Sequence, residues 1–188
     1  METGDHGKLI TTVSAQGWKQ GDILPIESHT AIEQATGRNL EPEQACIVIT
    51  HSCDLARPDP TLPIEIVVAT PTHKALDGGF AYGRSRKKLQ LLLTSNDGED
   101  TFEILALDRF EIPLTILGQH GPDQARQLAN SDQLEILIEW LVARYARTGF
   151  PNAFENRMAS KRKALVKAVE KLTRLAHLPW AIQLGRVV

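Results

Sequence analysis

Rings and thiols are scarce in this chain. Aromatic residues make up 5% of it, as three Trp, two Tyr and five Phe, so the interior must be built from Leu, Ile, Val and Ala. There are two cysteines, Cys46 and Cys53. Seven residues of extended chain span about 23 Å, so a direct disulfide would need the chain to fold back between them. Two free thiols in a reducing compartment are expected. No apolar run approaches the roughly 20 residues that cross a bilayer, and no paired C-x-x-C marks a zinc site. Met1 to Lys8 is polar and acidic, unlike a secretory leader. Cytoplasm is the expected location, with no membrane partner, no resident metal and no cofactor.

What remains is an ordinary globular composition. The 188 residues are 42% hydrophobic and 23% charged, enough for a single domain with a core that needs no cross-link. The formal net charge of −2 hides a strong asymmetry. Residues 1–140 hold 11 Lys and Arg against 21 Asp and Glu, whereas residues 141–188 hold 10 against 2. Such a split suits a polyanionic partner for the basic end, or pairing between the two halves.

Residues 1–16 carry no periodic signal. Ile23-Leu24-Pro25-Ile26 reads as a short edge strand, since Pro cannot donate to a ladder. Residues 28–44 read as a polar loop with a helical turn over Thr30 to Thr36, stopped by Gly37. Ala45 to Thr50 is β-branched and continuously apolar, a strand buried on both faces. Ile64 to Ala69 and Leu89 to Leu93 are further strands. Asn96-Asp97-Gly98 signals a hairpin turn, with return strands over Phe102 to Leu107 and Phe110 to Ile112.

After Gly121-Pro122 the period changes. Leu134, Leu137, Ile138, Leu141 and Val142 form a helical stripe in Ser131 to Tyr145, with Ser131 as N-cap. A second helix is expected over Ala153 to Leu175, and a last strand within Trp180 to Val188. The fold class is therefore α+β, a β core over about 17–118 and a helical extension over about 130–176 within one domain, 1–188.

Four reactive side chains, His51-Ser52-Cys53-Asp54, follow the strand at Thr50. If that strand continues, His51 and Cys53 share one face. A Cys nucleophile would take its His from elsewhere, from His29 or His73. For a metal, His51, Cys53 and Asp54 could supply two ligands, with His73 or Asp22 completing the set. The structural alternative is a turn in which Asp54 and Ser52 bond the backbone and Cys53 is a small hydrophobe. A second cluster is Arg84-Ser85-Arg86-Lys87-Lys88, preceded by Phe80 and Tyr82. Cations interleaved with rings suit a nucleic-acid strand, although a solvated loop has the same composition. Lys161, Arg162, Lys163, Lys167, Lys171 and Arg174 repeat the basic pattern. Arg144 and Arg147 either join it or cap a helix C-terminus.

Several of these segments occur in a familiar order. Gln20-Gly21-Asp22-Ile23-Leu24 resembles the opening strand of PemK/MazF-like toxins. Cys46 to Asp54 is similar to that family's second strand, an aliphatic run ending in a polar cluster. Ile64 to Thr72 resembles the next strand, which closes on a threonine, and Asp108-Arg109-Phe110-Glu111-Ile112 resembles a later one. The resemblance covers about residues 17–115. It implies a small SH3-like barrel, a homodimer, and single-stranded RNA bound and cleaved without metal.

Carried onto this chain, the resemblance makes Thr72 the catalytic hydroxyl. Asp54, Arg57, Arg84, Arg86 and Lys88 would line the groove, with Lys19, Lys87, Arg144 and Arg147 as further nucleic-acid contacts. The family's arginine before the second strand is absent: residues 41–46 read Glu-Pro-Glu-Gln-Ala-Cys. The expectation is a toxin-type endoribonuclease or a catalytically lapsed relative that binds RNA or single-stranded DNA. Two alternatives stand beside it. One is a non-catalytic subunit of a bacterial defence or toxin–antitoxin complex, with an apolar surface at Trp140 or Trp180 for a protein partner. The other is an enzyme or metal site built on His51 to Asp54.

Overall fold

The computed structural model describes residues 3–145. The second helix, the last strand and the basic surface from Lys161 to Arg174 lie outside the described residues, as does Trp180.

Six strands form one antiparallel sheet in the order β1-β2-β3-β5-β4-β6. They are β1 (Ile23–Leu24), β2 (Ala45–Val48), β3 (Ile64–Thr72), β4 (Lys88–Ser95), β5 (Gly98–Ile112) and β6 (Gln127–Leu128). Strand β2 explains its own composition. Alternate side chains point to opposite faces, and all four of its residues are buried. Ala45 and Ile47 enter one apolar cluster, Cys46 and Val48 the other.

The sheet curls until its ends almost meet. Asp123 N–H donates to Ile23 O (2.8 Å), and Arg126 Nη1 donates to Gln44 O (3.2 Å). The segment leading into β6 thus ties back to the β1–β2 end, giving a nearly closed barrel. Part of the curvature comes from a register shift. Val67 lies opposite Arg109 but Ala69 lies opposite Ile104, so β5 spends three more residues than β3 across that gap. An irregularity of this kind bends and twists the strand that carries it.

The barrel interior is aliphatic, with Ile23, Ile47, Val67, Leu89, Leu91 and Ile104 all buried. Helix α5 (Ser131–Tyr145) closes it with Leu137, Trp140 and Leu141. Two hydrogen bonds seat the helix: Leu92 N–H donates to Gln133 Oε1 (2.9 Å) and Trp140 Nε1 donates to Ser85 O (2.7 Å). The outer face of β1, β2 and β3 packs against α1 (Thr3–Gln16), α2 (His29–Thr36), α3 (Ser52–Ala56) and α4 (Leu114–Gln119), through Val13, Ile32, Leu55, Leu114, Ile116 and Leu117. Among the described residues, no helix is long and apolar enough to cross a membrane.

Several expectations need correcting. Residues 3–16 are helical although their sequence is poorly patterned. The helix is stabilised by packing, with Val13 fully buried and Leu9 lying over Gly118. The two return strands are one strand, β5. The α5 boundaries match Ser131 and Tyr145, but the cap is Asn130, whose Oδ1 accepts Gln133 N–H (3.2 Å). The buried stripe is also rotated: Gln133, Leu137, Trp140 and Leu141 face inward, while Val142 is 58% exposed. The apolar surface expected at Trp140 does not exist, because that ring is 1% exposed. The two cysteines need no correction: both are free thiols, as expected.

Trp140→Ala should therefore lower stability by about 3–5 kcal/mol, the usual cost of emptying a large aromatic site. Urea unfolding measures it. A loss within the range of ordinary surface substitutions would mean that α5 is not the plug.

Candidate functional site

The segment after β2 does not continue as a strand. Ile49 and Thr50 N–H groups donate to Glu65 O, and Glu65 N–H donates to Thr50 Oγ1 (2.7 Å). The chain then turns into α3. His51 is the N-cap, its Nδ1 accepting the Cys53 N–H at 3.2 Å. A side chain that satisfies the backbone locally competes with sheet extension, which is why the strand ends here. Leu55 is buried and anchors the helix, leaving His51, Cys53, Asp54 and Arg57 exposed. Ser52 Oγ accepts the Gln20 N–H (3.0 Å) and brings the Lys19 turn alongside.

Thr72 lies at the other end of β3, opposite Thr101. It is seven residues beyond Glu65, about 23 Å of strand. Its hydroxyl accepts the Lys74 N–H at 3.3 Å. Thr72 and His73 line a groove of about 590 Å³ whose other charged residues are Glu27, Glu43, Asp97, Asp100, Asp123 and Arg126. Arg126 is paired with Asp123 at 3.1 Å. The five candidate catalytic residues thus divide between two ends of the barrel: His51, Cys53, Asp54 and Arg57 at one, Thr72 at the other. The Thr72 groove carries an excess of carboxylates, an unfavourable surround for a phosphodiester. Among the described residues, no group of three or more His, Cys, Asp or Glu is arranged to hold a metal ion.

The basic cluster forms a third site. Ala81–Gly83 is a tight turn in which Tyr82 adopts φ 61°, ψ 26°, the left-handed region that costs a side-chain-bearing residue about 1–2 kcal/mol. Four hydrogen bonds fix the turn. Phe80 and Ala81 N–H groups donate to Asp77 O (both 2.8 Å), Gln90 N–H donates to Phe80 O (3.1 Å), and Trp140 Nε1 donates to Ser85 O. The Tyr82 ring is left 68% exposed, with Arg84, Arg86 and Lys87 exposed beyond it. Lys88 is already engaged, 2.8 Å from Glu103 and 4.9 Å above the Phe80 ring. The Arg144 side chain and Arg147 fall outside the described residues.

One pairing was not legible beforehand. His29 Nε2 lies 4.0 Å from Cys46 Sγ inside the outer core. His29 therefore joins Cys46 rather than Cys53, and His73 is at the far end of β3. Burial pushes the Cys46 thiol up to about 12, with Arg126 pulling slightly the other way. A thiol so protonated is not a nucleophile, so this pair is structural. Burial, and then Arg126, hold the His29 pKa below its ordinary value, against Glu33 and Glu27.

No family model, no curated protein and no solved structure matches the chain. Any functional reading therefore rests on the geometry itself.

His29 makes stability depend on pH with a definite sign. Its folded pKa is depressed from 6.5, so below pH 6.5 the unfolded chain binds a proton that the folded chain resists. Stability should fall as the pH drops through 6.5 toward the depressed value. Urea unfolding at pH 7.5 and 5.5 should show a larger loss for the wild type than for His29→Leu. Equal losses would remove His29 as the cause.

Proposed function

We propose that this protein binds single-stranded nucleic acid through the Phe80–Lys87 loop and does not cleave it. The observation that carries the proposal is Tyr82, an exposed ring held in a left-handed backbone conformation on a turn fixed by four hydrogen bonds. Strained, over-determined backbone is concentrated at sites with a task. A rigid ring loses little entropy when a base stacks on it, and each such stack contributes about 1–3 kcal/mol. Arg84, Arg86 and Lys87, exposed on the same loop, would meet the neighbouring phosphates of a stacked strand.

In this reading the barrel is of the SH3-like, PemK/MazF type, cytoplasmic and homodimeric. The basic stretch 141–188 adds sequence-independent phosphate contacts. Thr72 sits among carboxylates, and the arginine that would stabilise a phosphorane is absent from residues 41–46, so the bound strand stays uncut. A second reading, a protein-interaction subunit, draws on Leu105 and Leu107 in the irregular stretch of β5, which are 42% and 84% exposed.

Fluorescence anisotropy with a labelled single-stranded RNA tests the proposal. Tyr82→Ala should weaken binding roughly 5- to 150-fold, matching the loss of one stack. Arg84→Ala or Arg86→Ala should each lower the salt slope by about one. RNA incubated with wild type or Thr72→Ala should remain intact in both. An absence of RNA and single-stranded DNA binding would end this reading. Co-purification of a stoichiometric protein that is lost in Leu107→Glu would favour the second.

A further inference from the structure

A separate cleft of about 360 Å³ opens beside β1, between the Gly17–Asp22 turn, the β6 segment and the first turn of α5. Its floor is apolar, formed by Ile23, Leu128 and Leu134. Its wall is rigid. Gly21 N–H donates to Val48 O and Val48 N–H donates to Asp22 O, both at 2.8 Å. Gln20 Nε2 donates to Ile49 O (2.8 Å), and Lys19 N–H donates to Asp22 Oδ2 (2.6 Å). Gly21 is required: at φ +94° a Cβ would come within 2.7 Å of Leu134 Cδ1.

With these bonds made, four polar groups lining the cleft make no hydrogen bond among the described residues. Asp22 Oδ1 and Gln20 Oε1 are acceptors, whereas Lys19 Nζ is a donor and the Gln127 carboxamide offers both. Asp22 is half-buried, and burial raises its pKa against the Lys19 amide and charge. A carboxylate partly stripped of water gains most from new donors.

The geometry points to a guanine-reading pocket. One of the paired N1–H and N2–H donors of the base would meet Asp22 Oδ1 and the other the remaining lone pair of Oδ2, O6 would meet Gln127 or Lys19, and the ring would lie on Leu128 and Leu134. Guanine alone among the four bases presents two adjacent donors on one edge. Adenine and cytosine offer an exocyclic amine beside an acceptor, and uracil a single ring N–H. A base with its ribose suits a cleft of this size, and reading an unstacked base on its Watson–Crick edge is the usual route to single-strand specificity. The cleft and the Tyr82 turn abut the same helix at Leu134 and Trp140, six residues and about 9 Å of rise apart. As a specificity site for RNA, the pocket rests on the nucleic-acid reading above.

The test titrates GMP, AMP, CMP and UMP separately into the full chain by calorimetry or ligand-detected NMR. GMP should saturate, with the other three at least about tenfold weaker, as for one bidentate base contact. Asp22→Asn should weaken GMP by at least about tenfold at an unchanged thermal midpoint, because the Asn oxygen still accepts the Lys19 N–H. Gln127→Ala, on the exposed edge of β6, should weaken GMP without touching the fold. Equal binding of all four nucleotides, no binding of GMP, or GMP binding unaltered in Asp22→Asn would each overturn the inference. Tyr82→Ala separates the two proposals, since it should spare GMP while weakening oligonucleotides. Oligonucleotide binding without GMP binding removes the pocket and leaves the loop. GMP binding without oligonucleotide binding removes the loop and leaves the pocket.

Discussion

One indole holds this molecule in its shape. The sheet closes on itself only nearly, because β1 and β6 have two residues each, and helix α5 covers its interior. Trp140 is the largest fully buried side chain on that helix. The ring lies in the barrel interior with Ile23, Leu89 and Leu91. Its N–H also reaches out to Ser85 O, so a single residue both seals the core and fixes the loop that displays Tyr82. A chain with few aromatic residues concentrates that duty where area and a polar handle are needed together.

The barrel then sorts the polar groups by position. Strand β3 is long enough to put the α3 segment and Thr72 at opposite ends, so residues close in sequence analysis are far apart in space. Five carboxylates line the groove at the Thr72 end, and three exposed cations, Arg84, Arg86 and Lys87, stand on the loop that α5 supports. Lys88–Glu103 and Arg109–Glu65 each join neighbouring strands, and Arg126–Asp123 braces the segment before β6. Contacts of this kind position elements more than they stabilise them.

Strands with strong local signatures were readable in advance. Ala45 to Val48 announced burial on both faces through its β-branched run, and Asp97-Gly98 announced a hairpin, in which Gly98 alone takes the positive φ of 126°. Helix α5 was readable in extent but not in rotation, because Gln133 looks like a surface residue until Leu92 supplies a donor. Helices α1 and α3 were not readable. The first depends on tertiary packing over Gly118, and the second on an imidazole acting as a cap, which is not a common N-cap choice. At the level of sites, the order of residues carried even less. His51, Cys53 and Thr72 look like a set in one dimension, whereas the His29–Cys46 contact joins segments 17 residues apart. The clusters that stayed together, His51 to Arg57 and Phe80 to Lys88, did so because each is contiguous. The sharpest feature of the second, the left-handed Tyr82, had no marker beyond the Gly that follows it.

The contrast between the two thiols has a practical meaning. Cys53 is exposed, whereas Cys46 is fully buried and protonated far above neutrality. Under mild alkylation the first should react at once and the second only when β2 peels away from its neighbours. The slow modification of Cys46 would therefore act as a clock for opening of the sheet. A probe on Cys53 would meanwhile report on the intact molecule from its surface. The protein carries its own paired reporters, one for the closed state and one for its lapses.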